Sequence, residues 1–231
     1  MARRTWTVTP HEPMVRHEDN FWSVQGMVPG APFTRRMGIA RRSDGGLVFY
    51  NAIPLEDEAL RQVTALGKPV YLVVGHHQHV IDAHAFAERL GLKIYGPKRT
   101  EAGLRERCDL AGTLEELPSD PDVSVESLPG SKLGETVMTV KSGDRRSVLF
   151  SDAIQNNPPE KTKLIFRLLG FAGGPRTPPI FKMLFLEDRA AMRSAFERLA
   201  ALPGLTRIVP THGTIVENDA PGALRKVAAA L

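Results

Sequence analysis

With 231 residues, 42% of them hydrophobic and 24% charged, the chain has the composition of one ordinary globular core, which excludes disordered and fibrous classes. A single cysteine, Cys108, excludes an internal disulfide and a cysteine-rich zinc knuckle. The net charge of +4 is carried by scattered arginines rather than a basic stripe, so no nucleic-acid partner is expected.

The N-terminal stretch Met1-Ala2-Arg3-Arg4 is basic but has no apolar core behind it, so it does not read as a secretory signal. No apolar run approaches the ~20 residues of a membrane-spanning helix. A cytoplasmic address is expected. Short β-type runs follow at residues 23–27, 46–50 and 70–74, rich in β-branched and aromatic residues. Asp44-Gly45-Gly46 reads as a hairpin turn. The Arg35-Arg36 and Arg41-Arg42 pairs flank an apolar segment, as an exposed strand border would. Residues 56–66 place Leu60, Val63 and Leu66 at helical spacing. A second helix over 82–90 stops at Gly91. The charged helical stretch at 101–109 ends near Cys108, which reads as a structural thiol with no histidine close in sequence.

Strand runs return at 136–140, 147–150 and 207–209. Residues 188–202 set Met192, Phe196, Leu199 and Leu202 at helical spacing, and 222–231 read as a closing helix. Strands, then helices, then strands again imply sheets covered by outer helices. A Rossmann fold is excluded, because no glycine-rich loop follows the first strand. Residues 157–187, with Pro158-Pro159, Gly173-Gly174-Pro175 and Pro178-Pro179, break the pattern and read as an insertion over the sandwich edge, either a crossover or a lid. Within it Leu164, Ile165, Leu168 and Leu169 form an apolar face beside Lys161, Lys163 and Arg167. Such a face should not remain in water. It is expected to pack on its own domain or on a second copy, beside the loop at 76–84. A membrane surface ranks last, since that would need a longer or more aromatic face.

The chemistry concentrates at strand ends. Val73-Val74 runs into His76, His77, His79 and His84, and a helix leaves the segment. A strand-to-helix junction lets imidazoles converge on an ion without burial in the core. The strand at 147–150 ends on Ser151-Asp152, and the run at 207–209 ends on Pro210-Thr211-His212-Gly213. Each alone would be an ordinary capping aspartate or loop histidine. Three strand ends delivering His, Asp and His suit a divalent ion.

In this order and spacing the segments resemble the metallo-β-lactamase superfamily, from about Met37 to the C-terminus. That family has H-x-H-x-D-H after a strand, a histidine in a P-G-H turn, an aspartate ending a strand and a final histidine in a P-x-H-G turn. The segment Arg36-Met37, Arg41 and Asp44-Gly45-Gly46-Leu47 resembles an uncharacterised branch with degenerate first motifs. Here Ser131 stands where the family has its turn histidine, and Lys132 would bring a repelling charge beside it. The first motif fits in two registers. In one, His77 and His79 are the H-x-H pair, with Asp82 one place past the family's aspartate. In the other, Gln78-His79 replaces the D-H pair and His76 an earlier histidine. His79, Asp152 and His212 survive in both.

The resemblance implies one α/β (α+β) domain over 1–231, a four-layer αββα sandwich with the insertion at about 157–187. It implies metal ligation by His77, His79, Asp152 and His212, with His76 the lesser choice, and catalytic roles for Asp152, His77 and Asp82. The cofactor expected is one divalent metal, zinc first, with iron or manganese admissible; two ions are not expected once Ser131 is accepted. The activity implied is hydrolysis of a small ester, thioester, lactone or phosphoester. The alternative is a non-catalytic binding protein of the same fold that has lost its metal. Partners are a small-molecule substrate and, in one reading, a second copy of the chain, with no nucleic acid and no membrane.

Overall fold

Strand alternation builds two sheets whose inner faces meet. In the computed structural model, which describes residues 4–231, β1 (Val15–Glu18), β2 (Phe21–Met27), β3 (Thr34–Arg41), β4 (Gly46–Tyr50), β5 (Lys68–Val73), β6 (Lys93–Gly96) and β7 (Leu110–Thr113) lie side by side in chain order. Met1, Ala2 and Arg3 of the basic N-terminal stretch lie outside the described residues. The second sheet runs β11-β10-β9-β8, from β8 (Val123–Ser127), β9 (Thr136–Ser142), β10 (Arg145–Phe150) and β11 (Leu205–Pro210). The helices are α1 (Asp57–Thr64), α2 (Ala83–Leu90), α3 (Glu101–Arg105), α4 (Leu164–Leu168), α5 (Pro179–Leu184), α6 (Arg189–Ala200) and α7 (Ala220–Ala229). Among the described residues no helix is long and apolar enough to cross a membrane.

Pairing follows connection length. β1 to β4 are antiparallel, joined by short turns, whereas β4 to β7 are parallel and need crossovers, which α1, α2 and α3 supply. β10 and β11 are likewise parallel, with α4, α5 and α6 between them. Alternate side chains then sort into three cores. Leu47 and Phe49 of β4 pack outward with Phe86 of α2 and Leu60 of α1. Val48 and Tyr50 pack inward with Leu149 of β10 and Val209 of β11. Val148 and Phe150 turn to the far side, onto Phe196 of α6 and Leu224 of α7. Helix, sheet, sheet, helix is the αββα order expected.

Local signals explain the ends. Gly91 takes the left-handed conformation that stops α2. Asp188 caps α6 by accepting from the Ala191 amide at 2.9 Å.

Two expectations are corrected. The arginine pairs do not form an exposed border: Arg35, Arg36 and Arg42 are buried. Each reaches acceptors supplied by distant loops. Arg36 donates to the carbonyls of Pro210 (2.6 Å) and Gly213 (3.0 Å), Arg42 donates to that of Pro118 (2.9 Å), and Arg35 is ion-paired with Asp82. Nor does the aliphatic face of the 161–171 segment pack on its own domain. Leu164, Ile165, Leu168 and Leu169 are exposed, and it is Phe166 that lines a cavity open to solvent.

A half-buried histidine makes the fold acid-sensitive. His17 lies with Nε2 2.8 Å from Ser23 Oγ, and burial, then Arg207 and Arg36, push its imidazole down to about 4. An unfolded histidine titrates near ~6.5, so the unfolded chain takes up a proton that the folded chain resists. The stabilising contribution is intact above ~6.5 and is lost as pH falls toward about 4. His17→Gln should therefore lose less thermal stability than the parent between about pH 7 and pH 5. Parallel melting-temperature losses in the two proteins would remove His17 as the cause.

Candidate metal centre

Three strand ends converge at one edge of the sandwich. β5 continues into Gly75 and His76, β10 into Ser151 and Asp152, and β11 into Thr211 and His212. Asn51, just past β4 with φ of 60°, ties all three together. Its Oδ1 accepts from the Gly75 amide (2.9 Å), and its Nδ2 donates to Ser151 Oγ (3.2 Å) and Thr211 Oγ1 (3.0 Å). Tyr50 Oη adds contacts to Ser151 Oγ (3.1 Å) and Thr136 Oγ1 (2.8 Å), and Thr136 Oγ1 donates to the Gly75 carbonyl (2.9 Å). Burial, with Glu135 nearby, holds the Tyr50 phenol un-ionised. A buried polar network fully satisfied in this way rigidifies its members.

Asp152 is the centre of the cluster. Its Oδ1 lies 3.4 Å from His79 Nε2 and 3.2 Å from His212 Nε2, and its Oδ2 lies 2.9 Å from His76 Nε2. His76, His79 and Asp152 can each offer a ligand atom within 4.8 Å of the others. The hydrogen bonds on the far side of each ring assign its protons. His212 Nδ1 is 2.6 Å from the Thr34 carbonyl, which only accepts, so Nδ1 carries the proton and a neutral ring turns its Nε2 lone pair toward Asp152. Two acceptors 3.2 Å apart repel unless a proton or a cation lies between them. His76 is the reverse: its Nδ1 accepts from the Gln78 amide at 3.2 Å, so its proton sits on Nε2 and points at Asp152.

Burial alone would raise the Asp152 carboxyl, but the imidazoles packed around it, His79 first and then His76, hold it well below the ordinary range. Burial pushes His79 down to about 4, leaving it neutral, the state in which imidazole binds metals. His76 is raised despite its burial, because Glu135 and Asp152 favour its protonated form. Glu135 is itself pushed up to about 7 by burial, against the pull of His76. Its carboxylate accepts from the amides of Asp152 (3.1 Å) and Ala153 (3.0 Å).

No protein-family model and no curated protein sequence matches the chain. Solved structures do. A structure of DIM-1 metallo-β-lactamase exposed to ceftazidime superposes with a TM-score of 0.63 at 12% identity, covering 97% of this chain and 99% of that one. Another of DIM-1 metallo-β-lactamase gives 0.62 at 10% identity over 96% and 99%, and TMB-1 gives 0.60 at 12% over 97% and 98%. The chain has the metallo-β-lactamase fold. At these identities the likeness is one of architecture, and the metallo-β-lactamase fold here carries its own set of side chains at the strand ends.

Within that fold the structure brings together His79, Asp152 and His212, the trio common to both registers, and adds His76 rather than His77. His77 is half-buried, with Nδ1 3.5 Å from the Leu133 carbonyl and its own carbonyl accepting from Arg107. Asp82 is not at the cluster either: it is buried against Arg35, with Arg4 3.7 Å away. His84 pairs with Asp109 at 3.3 Å. The Ser131 hydroxyl accepts from the Leu133 amide at 3.1 Å, and Lys132 is exposed to solvent. Cys108 is buried, its thiol 3.4 Å from the Leu104 carbonyl. Sequence reasoning missed Asn51 and Glu135. The first stands at a strand end, like the ligand candidates; the second sits four residues past Ser131 in the same altered turn.

A cavity of about 620 Å³ opens above Asp152 and His212. Phe33, Ile81, Phe166 and Phe171 give it apolar walls, and Gln155 and Asn157 supply amides. Three of these six, Phe166, Phe171 and Asn157, belong to the 157–187 segment.

Proposed function

We propose that this chain is a metal-dependent hydrolase with one divalent ion held by His79, Asp152 and His212, and that His76 is a brace rather than a ligand. The observation that carries the reading is the His212 ring. With Nδ1–H committed to the Thr34 carbonyl, the ring presents Nε2 to Asp152 Oδ1 3.2 Å away, and in its neutral form that nitrogen offers a lone pair to an ion shared with the carboxylate. A backbone carbonyl fixing the far nitrogen is how metal-binding histidines are commonly oriented. Two imidazoles and one carboxylate suit zinc first, with iron or manganese admissible.

When bound, such an ion supplies Lewis acidity, which makes water a better nucleophile at neutral pH and draws electron density from a carbonyl or phosphoryl oxygen. The chain's own groups do the rest. His76 donates to Asp152 Oδ2 and leaves Oδ1 facing His79 and His212. Asn157 Nδ2 donates to Gln155 Oε1 at 3.2 Å, which fixes that amide and leaves its NH2 group to donate to a substrate oxygen. Phe33, Phe166 and Phe171 exclude water from one side of a small ester, thioester, lactone or phosphoester. The commitment of Asp82 to Arg35 removes it as a candidate base, and Asp152 serves as a ligand.

Protein purified without chelator should contain about one divalent ion per chain by elemental analysis, and loaded protein should cleave a panel of small esters. Metal-free protein that refuses added zinc, iron and manganese would end this reading. A loaded but inert protein would favour the non-catalytic binding alternative.

A further inference from the structure

We infer that the aliphatic outer face of α4 and α5 docks on the surface of an anionic lipid bilayer. Leu164, Ile165, Leu168 and Leu169 of this segment are each more than half exposed, Leu168 at 76%. α5 adds Ile180, Met183 and Leu184, with Met183 at 74%. The two helices adjoin at Gly170, where an added Cβ would lie 2.7 Å from the ring of Pro179. So many large aliphatic groups at the surface of one segment mark an interaction site rather than ordinary monomer surface. Turning α4 to bury its leucines would withdraw Phe166 from the cavity wall, so the domain itself does not supply the cover.

Charge selects the occupant. Residues 157–187 contain five Lys or Arg against two Glu, which accounts for three of the chain's four net positive charges. Lys163 and Arg167 are exposed beside the aliphatic face and make no ion pair among the described residues. A second copy of the chain would set two cationic patches against each other, which opposes association. A headgroup layer with anionic phosphates meets both features at once, taking the aliphatic groups at the acyl boundary and the cations among the phosphates. Four aliphatic residues made a short face for a membrane; the second helix raises the number to seven. Docked in this way, Lys163 at the cavity rim would sit in the headgroup layer.

The test is vesicle sedimentation of the full chain, with phosphatidylcholine alone and with phosphatidylcholine mixed with phosphatidylglycerol. The parent should pellet with the mixed vesicles, weakly with phosphatidylcholine, and less as salt is raised. Leu168→Glu combined with Met183→Glu should lower the partition coefficient at least about ten-fold, with circular dichroism and metal content unchanged. Absence of parental sedimentation with mixed vesicles, or equal sedimentation of the double variant, would overturn the inference. So would light scattering that shows a dimer in the parent and a monomer in the double variant, because the face would then belong to a second copy.

Discussion

Asp152→Asn should emerge from purification with less than about a tenth of the parent's metal, since loss of even an outer-shell partner costs 10–100-fold in affinity and this change removes the charged ligand itself. The amide keeps the volume of the carboxylate. Its oxygen can still accept from His76 Nε2, and its NH2 group can donate to the lone pair that His212 turns inward. The variant therefore replaces a cation-seeking centre with one satisfied by neutral hydrogen bonds, and should fold. Elemental analysis beside thermal melting of the metal-stripped proteins separates the two effects. Equal metal content in variant and parent would place the ion elsewhere.

The second large effect belongs to Gly75→Ala. A Cβ on Gly75 would stand 1.7 Å from Ser151 Oγ and 2.8 Å from Asn51 Oδ1. Neither neighbour can move away cheaply, because the Ser151 hydroxyl is held by Tyr50 and Asn51, and Asn51 is committed to Gly75 and Thr211 as well. Overpacking and loss of buried hydrogen bonds together should cost about 3 kcal/mol or more in denaturant unfolding. Adding Ser151→Gly should recover part of that loss, since it removes the atom struck first, and the non-additivity is the signature of the contact. A Gly75→Ala protein as stable as the parent would show that the strand ends are not locked together as described.

What could be read from the sequence was what local chemistry decides. β4 was legible because Gly46–Tyr50 is buried on both faces and so forms an unbroken apolar run. β3 was hidden by Arg35 and Arg36, whose burial depends on Asp82 and on the carbonyls of Pro210 and Gly213, all distant in the chain. β1, β6, β7 and β8 are short strands of four or five residues with little apolar alternation to detect. At the site, Asp152 and His212 could be placed because each lies two residues past the end of a strand. The choice between His76 and His77 could not, since it is made by a turn in which the His79 amide donates to the His76 carbonyl at 2.9 Å. Glu135 gave no signal, because its partners are backbone amides at residues 152 and 153.

Asn51 has one more consequence. His79 belongs to the loop after a strand of the first sheet, whereas Asp152 and His212 hang from the second, so the candidate ligands straddle the two halves of the chain. An ion shared among them would act as a cross-link, closing a long loop and thereby restricting the unfolded chain as well as holding the folded one. The amide of Asn51 makes the same connection with hydrogen bonds alone, to Gly75 on one side and to Ser151 and Thr211 on the other. With an ion bound, the two halves would be clasped at one point by two devices side by side, one permanent and the other dependent on whatever cation the surroundings provide.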